Sequence, residues 1–201
     1  MNAYLGLALK SPVSFVLAER EKLAASRRDL HAHPEIGFEE HRTAALVAER
    51  LHQWGVEVHA GIGRTGVVGV IHGRRTTSGK AVGLRADMDA LPIAEANRFA
   101  HASKHDGVMH ACGHDGHTAM LLAAAKYLAE TRPFDGTVNV IFQPAEEGGA
   151  GAQKMIDDGL FEKFPCDAVF GMHNWPGYKV GQFGTRPGPM MASGNRFEIK
   201  V

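Results

Sequence analysis

The sequence is short of most features that would take it out of the ordinary globular class. Only two cysteines, Cys112 and Cys166, occur in 201 residues. That is too few for a framework of disulfide staples, and it points to a reducing compartment. Neither sign of charge prevails: 22 Lys and Arg stand against 22 Asp and Glu. No overall field therefore attracts nucleic acid or an anionic membrane. No apolar run approaches the roughly 20 residues needed to span a bilayer. The opening MNAYLGLALKSPVSF has no basic leader followed by an apolar stretch and a small-residue cleavage site. Together these absences lead to the expectation of a cytoplasmic protein with no nucleic-acid or membrane partner.

Histidine is the exception, with 12 copies. Three of them, with a cysteine and an aspartate, crowd the span from His110 to His117 in MHACGHDGHTAM. Such a cluster suits metal binding, thiol chemistry or a histidine-rich loop, and its place in the fold has to decide among them.

Periodicity supplies that place. A helix is expected over residues 14–30, opened by Ser11-Pro12, and a second over 43–54, closed by Gly55. Short β segments follow at 56–58 and 67–71, then an apolar strand at 81–86 that ends in Asp87-Met88-Asp89. Asp115 is the expected N-cap of a buried helix reaching about residue 130. Strands are expected at 137–142 and, as a core strand, at 168–172, with a helix at 152–158 between them. Alternating buried strands and helices argue for an α/β fold, a largely parallel mixed sheet with helices on both faces. The final Asn195 to Val201 alternates like a strand. No partner or turn follows that strand, which suggests a chain cut inside a longer protein.

Gly61-Ile62-Gly63-Arg64-Thr65-Gly66 matches a dinucleotide fingerprint, but the fingerprint requires a helix directly after it. Here a strand follows, so the motif is read as a hairpin turn.

In open α/β sheets, sites form beyond the carboxyl ends of the strands. Three strands end there in groups that bind cations or move protons: Asp87 and Asp89, Glu146 and Glu147, and His173. The histidine cluster leads into the buried helix at the same rim. Cys112 and His114, two apart in an extended loop, would point the same way and suit zinc or its neighbours. Adjacent Glu146 and Glu147 would face opposite ways, one as ligand and the other as general base. Asp87 or Asp89 would orient a ligating histidine or bind the ion itself. His173 would join as a ligand, while His110 and His117 would support the site or pack the helix. Each residue also has a plainer reading: a small buried thiol, a solvated acidic pair, a loop cap or a core-edge imidazole.

Five stretches, RRDLHAHPEIGFEE, LRADMDALPI, GVMHACGHDGHTAMLLAAA, IFQPAEEGGAGAQKMI and GMHNWPG with its following RPGPMMAS, resemble the aminoacylase/carboxypeptidase metallohydrolases. The resemblance is to the branch of hippurate hydrolases, N-acyl-amino-acid amidohydrolases and auxin-conjugate hydrolases. It implies a co-catalytic zinc peptidase-like domain holding two divalent ions (Zn, Mn, Ni or Co). It makes Cys112, His114, Glu147 and His173 the metal ligands, Glu146 the general base and Asp89 the catalytic carboxylate beside it. It also implies an N-acyl amino acid as substrate and a homo-oligomer for the full-length protein. By the same resemblance, residues 1–194 would be the N-terminal portion of a catalytic domain and 195–201 the start of a lid domain. A lid histidine and a last ligand would lie beyond residue 201, which would leave these residues alone inactive. Two other readings compete: a metal-binding fragment or decayed homologue without catalysis, and a hydrolase using Cys112 as nucleophile.

Overall fold

The computed structural model describes residues 11–192 and 197–200. Helix α1 (Pro12–Ala32) starts where Ser11 accepts the backbone N–H of Ser14 in its side chain, at 3.2 Å, with proline in the first turn. Helix α2 (His41–Gln53) buries Thr43, Val47 and Leu51 on one stripe. Strands β1 (Glu57–Ile62) and β2 (Gly66–His72) form an antiparallel hairpin. The glycine-rich motif is the turn of that hairpin, as expected. Next come β3 (Ala81–Asp87), α3 (His114–Thr131), β4 (Thr137–Gln143), α4 (Gly151–Asp157), the short α5 (Leu160–Lys163) and β5 (Ala168–Gly171).

The sheet runs β1-β2-β4-β3-β5. Its β4-β3-β5 part is parallel, and β1 and β2 continue it antiparallel. This is the expected mixed α/β sheet, with its parallel character confined to the half that carries the rim. Alternation along each strand divides the apolar side chains between two layers. Val67, Ile71, Val140 and Phe142 pack with Val47 and Leu51 of α2 and with Leu121, Leu122 and Ala125 of α3. Val68 and Ile141 face the other way, against Met155, Leu160 and Phe164 around α4 and α5. Helices thus cover both faces. Among the described residues, no helix is long and apolar enough to cross a membrane.

Three expectations are corrected. Asp115 is not the N-cap of α3. The helix begins two residues earlier than that cap would set, at His114 after Gly113, with no side-chain cap, because the Asp115 carboxylate is taken by Arg27 and His31 of α1. The strand at 168–172 is not a core strand. Among the described residues it pairs only with β3, and all four residues of β5 are exposed, since a strand at the sheet edge has a neighbour on one side only. At the end of the chain, Phe197 to Lys200 are exposed and irregular. The rest of the expected 195–201 strand, including Asn195, lies outside the described residues.

Candidate metal centre

The carboxyl ends of the parallel strands meet the first turn of α3. Asp87 closes β3, the Glu146-Glu147 pair follows β4, His173 follows β5, and His114 is the first residue of α3. Cys112 and His173, 61 positions apart, stand with Sγ 3.4 Å from Nε2. Donor atoms of Cys112, His114 and Glu147 all lie within 4.8 Å of one another, as do those of Asp87, His114, His117 and His173. Every residue singled out at this rim from the sequence is therefore gathered here except His110.

His114 is the hub. Its side chain is wholly buried, and its Nδ1 lies 3.1 Å from Asp89 Oδ1. An ionised carboxylate only accepts, so Nδ1 carries the proton and Nε2 is left as the outward atom. Among the described residues, that buried Nε2 has no hydrogen-bond partner. Around it stand Asp87 Oδ2 at 3.6 Å, Glu147 Oε1 at 3.8 Å and Glu146 Oε2 at 4.0 Å. Burial alone would lower the imidazole pKa, but the Asp89 hydrogen bond and the charges of Asp87, Asp89 and Glu147 outweigh it and hold it above the usual value. A buried ring nitrogen with no partner inside a ring of carboxylate oxygens is what a divalent cation would resolve. Sulfur, imidazole and carboxylate together suit borderline ions such as zinc and its neighbours.

The His173 side is fixed by a chain of hydrogen bonds. His117 Nδ1 donates to Asp87 Oδ1 at 2.6 Å, so its Nε2 is an acceptor and receives the Asn174 N–H at 3.0 Å. Both nitrogens of His117 are thereby engaged. His173 Nδ1 donates to the Asn174 carbonyl at 2.6 Å, which leaves Nε2 to face the Cys112 thiol. Gly113 makes room for this loop. Its φ is 86°, and a Cβ there would lie 2.7 Å from Asn174 Oδ1. Cys112 and His114 converge through this left-handed turn, not through the alternation of an extended loop.

The carboxylates differ from expectation in one respect. Glu146 and Glu147 occupy a turn, with Gly148 N–H bonded to the Glu146 carbonyl at 2.7 Å. Both therefore approach His114 Nε2 instead of pointing apart. Their side chains are 42% and 23% exposed, so Glu146 lies nearer to solvent. Asp89 serves the site twice, accepting from His114 through Oδ1 and from the Glu147 N–H through Oδ2 at 2.9 Å. Burial disfavours its charge, but these hydrogen bonds hold its pKa below the ordinary value. Asp87 is shifted further down. Burial is the largest influence on it, and the His117 hydrogen bond with the charges of Arg85, His114 and His117 together overcome that influence. Arg85 reaches Asp87 Oδ2 with Nη1 at 2.8 Å. Cys112 moves the other way: burial, then Glu147, Asp87 and Glu146, push its thiol up to about 12.

Behind the first turn of α3 lies a second polar group of residues. Asp115 Oδ2 accepts from Arg27 Nε and His31 Nδ1, both at 2.9 Å, and His31 Nε2 meets Glu95 Oε1 at 3.0 Å. His110 is buried beside His31, and among the described residues neither of its ring nitrogens has a partner. Burial depresses its pKa to about 4. Glu95 carries no signal in the sequence, and His31 carries one. The one available signal was His31 within RRDLHAHPE, a polar residue on the helix face that packs against α3.

Residues 83–201 match the model of peptidase family M20/M25/M40. Hippurate hydrolase of Campylobacter jejuni is 54% identical over 175 residues, which are 87% of this chain and 45% of that protein. IAA-amino acid hydrolase ILR1-like 5 of Arabidopsis thaliana is 44% identical over 196 residues, 94% of this chain and 44% of that protein. The structure of the Bacillus subtilis YXEP protein, described as a dinuclear metal binding peptidase from the M20 family, superposes with a TM-score of 0.80. It is 43% identical, and the match covers 86% of this chain and 48% of that one. The chain thus spans a little under half the length of the curated relatives it matches.

Proposed function

The chain belongs to peptidase family M20/M25/M40, and from that premise we propose that it is the first part of a metal-dependent amidohydrolase that splits N-acyl amino acids into a carboxylate and a free amino acid. Residues 1–194 would form part of the catalytic domain, and 195–201 would begin the next one. The observation that carries the reading is the buried, partnerless Nε2 of His114, enclosed by the oxygens of Asp87, Glu146 and Glu147. The hippurate and auxin-conjugate hydrolases among the relatives favour acyl amino acids of that kind as substrates. Two free cysteines fit a reducing cytoplasm.

Cys112, His114, Glu147 and His173 would hold two divalent ions, which supply Lewis-acid polarisation of the amide carbonyl and a water of lowered pKa. The rest is the work of the side chains. Asp89 keeps the Nδ1 proton on His114 and anchors the Glu147 amide, which aims one ligating atom and the backbone of another. His117 keeps the His173 loop in place through Asn174. Glu146, the more exposed of the two glutamates, takes a proton from the attacking water and returns it to the leaving amine. Water adds its oxygen to the acyl carbon, and the C–N bond breaks as the nitrogen is protonated.

The Cys112–His173 contact has the partners of a thiol nucleophile and its base, but its surroundings argue against that role. A nucleophilic cysteine needs its pKa lowered, and burial together with the carboxylates around Cys112 does the reverse. The same carboxylates are suited to sharing cations with a thiolate. Two measurements test the proposal. Titration of this chain with Co2+ should produce a sulfur-to-metal absorption band that Cys112→Ser abolishes. In the full-length protein, Glu146→Gln should lower kcat for hippurate by roughly 10²–10⁴-fold with metal content unchanged. Near wild-type turnover would end the assignment of the base.

A further inference from the structure

Both glutamates of the centre leave the sheet on one short loop, and that loop is held from behind. Ala145 is fully buried and sits at φ 47°, a left-handed conformation that an L residue adopts only when its surroundings impose it. The Ala145 N–H donates to Glu40 Oε1 at 2.8 Å. The other oxygen of Glu40 accepts the Thr65 hydroxyl. Thr65 is buried within the glycine-rich turn between β1 and β2, the motif set aside above as a false dinucleotide fingerprint. Gly37 and Gly149 both pack closely on Ala145. A Cβ at Gly37 would stand 2.9 Å from Ala145 Cβ, and one at Gly149 2.6 Å from it. Only glycine permits that approach.

We infer that Glu40 is a positioning residue for Glu146 and Glu147: by fixing the Ala145 amide from inside the core, it sets where the two carboxylates emerge at the rim. The inference rests on reading Glu146 as base and Glu147 as ligand. The loop is pinned twice, at Ala145 by Glu40 and at Glu147 by Asp89, and Glu146 is the single residue between the pins. Glu40 is wholly buried, and burial pushes its carboxyl above the ordinary range. Stability alone gives little reason to keep such a group, because an apolar side chain of similar size serves a core as well or better. An apolar side chain offers no acceptor for the Ala145 N–H, however. The hairpin turn thereby gains a purpose: its Thr65 holds the second oxygen of Glu40 so that the first stays aimed at the loop.

The test uses this chain, with Co2+ as the metal probe and amide hydrogen exchange followed at residues 145–149. Glu40→Ala is expected to speed exchange there about tenfold or more, with the amides of β2 and β4 unchanged. It should also weaken Co2+ binding by roughly 10–100-fold. Glu40→Gln keeps an oxygen for the Ala145 N–H and should remain close to wild type in both readouts, a rescue that a purely volume-filling role would not require. Thr65→Val should shift exchange in the same direction by less, and it decides the matter if Glu40→Ala does not fold. Unchanged exchange at 145–149 in the folded variant overturns the inference, as does Glu40→Gln as damaging as Glu40→Ala. Unchanged Co2+ affinity alongside faster loop exchange overturns it as well. Should the wild-type chain bind no Co2+, the metal reading fails on its own, and the exchange data still decide the role of Glu40.

Discussion

The two sides of the metal centre are built to different standards. On the His114 side every support is buried: Asp87, Asp89, His114 and His117 lie between 0% and 2% exposed, at the junction of β3 and α3. On the His173 side the supporting strand is exposed along its whole length. Phe170 is 60% exposed, and farther along Trp175 and Phe183 are 55% and 82% exposed. One side is aimed by packing. The other is held by a few hydrogen bonds that cross from the first, through His117 to Asn174 and from Cys112 to His173. Ligand geometry can therefore be set by a small number of contacts where burial does not reach, provided those contacts begin in a rigid core.

Core truncation should break this contrast most sharply. Phe142, with no exposure in β4, should cost about 3–5 kcal/mol on replacement by alanine, whereas Phe170→Ala on β5 should stay within about 0.5 kcal/mol. Urea melts of the two variants give the comparison directly, and equal losses would mean that β5 is packed after all. Acid comes next, through the buried side. Burial holds the His110 pKa down to about 4 in the folded chain, against the ordinary 6.5 of an imidazole. The unfolded chain takes up its proton below about 6.5, and the folded chain resists until near 4. Stability is therefore complete above that window and falls as the pH drops through it, by on the order of 3 kcal/mol. His114 is shifted upward, so its own contribution is intact below 6.5 and fades only above it, outside this window. Melts at pH 7 and pH 4 should show a loss in the wild type that exceeds the loss in His110→Phe by that amount. The smallest effect concerns the link between the sides. His117→Ala should weaken Co2+ binding about 10–100-fold by freeing the Asn174 amide, and binding as tight as wild type would show that the exposed side needs no such strut.

Much of this was legible from the residues. Apolar runs located β2, β3 and β4 within a residue or two, and the groups closing them marked the rim. The errors arise where a side chain serves a distant partner in preference to a local one. Asp115 looks like a cap by sequence, yet Arg27 and His31, more than 80 positions away, claim its carboxylate. Glu146 and Glu147 were expected to diverge, but the turn closed by Gly148 directs both at His114. The expected core strand at 168–172 has the composition of one. Whether such a strand is covered depends on what lies beside it, and composition is silent on that.

Glu39 and Glu40 mark the boundary between the two kinds of knowledge. The sequence by itself determined the alternation of strand and helix, the supply of sulfur, imidazole and carboxylate, and their delivery to one edge of a sheet, because periodicity and strand ends are local properties of a chain. It could not separate two adjacent, identical glutamates. Glu39 has a side chain 62% exposed to water, whereas Glu40 is sealed inside against Thr65 and the Ala145 amide. Only the tertiary structure decided that, because a buried carboxyl is tolerated only where donors from elsewhere in the chain have been brought to meet it.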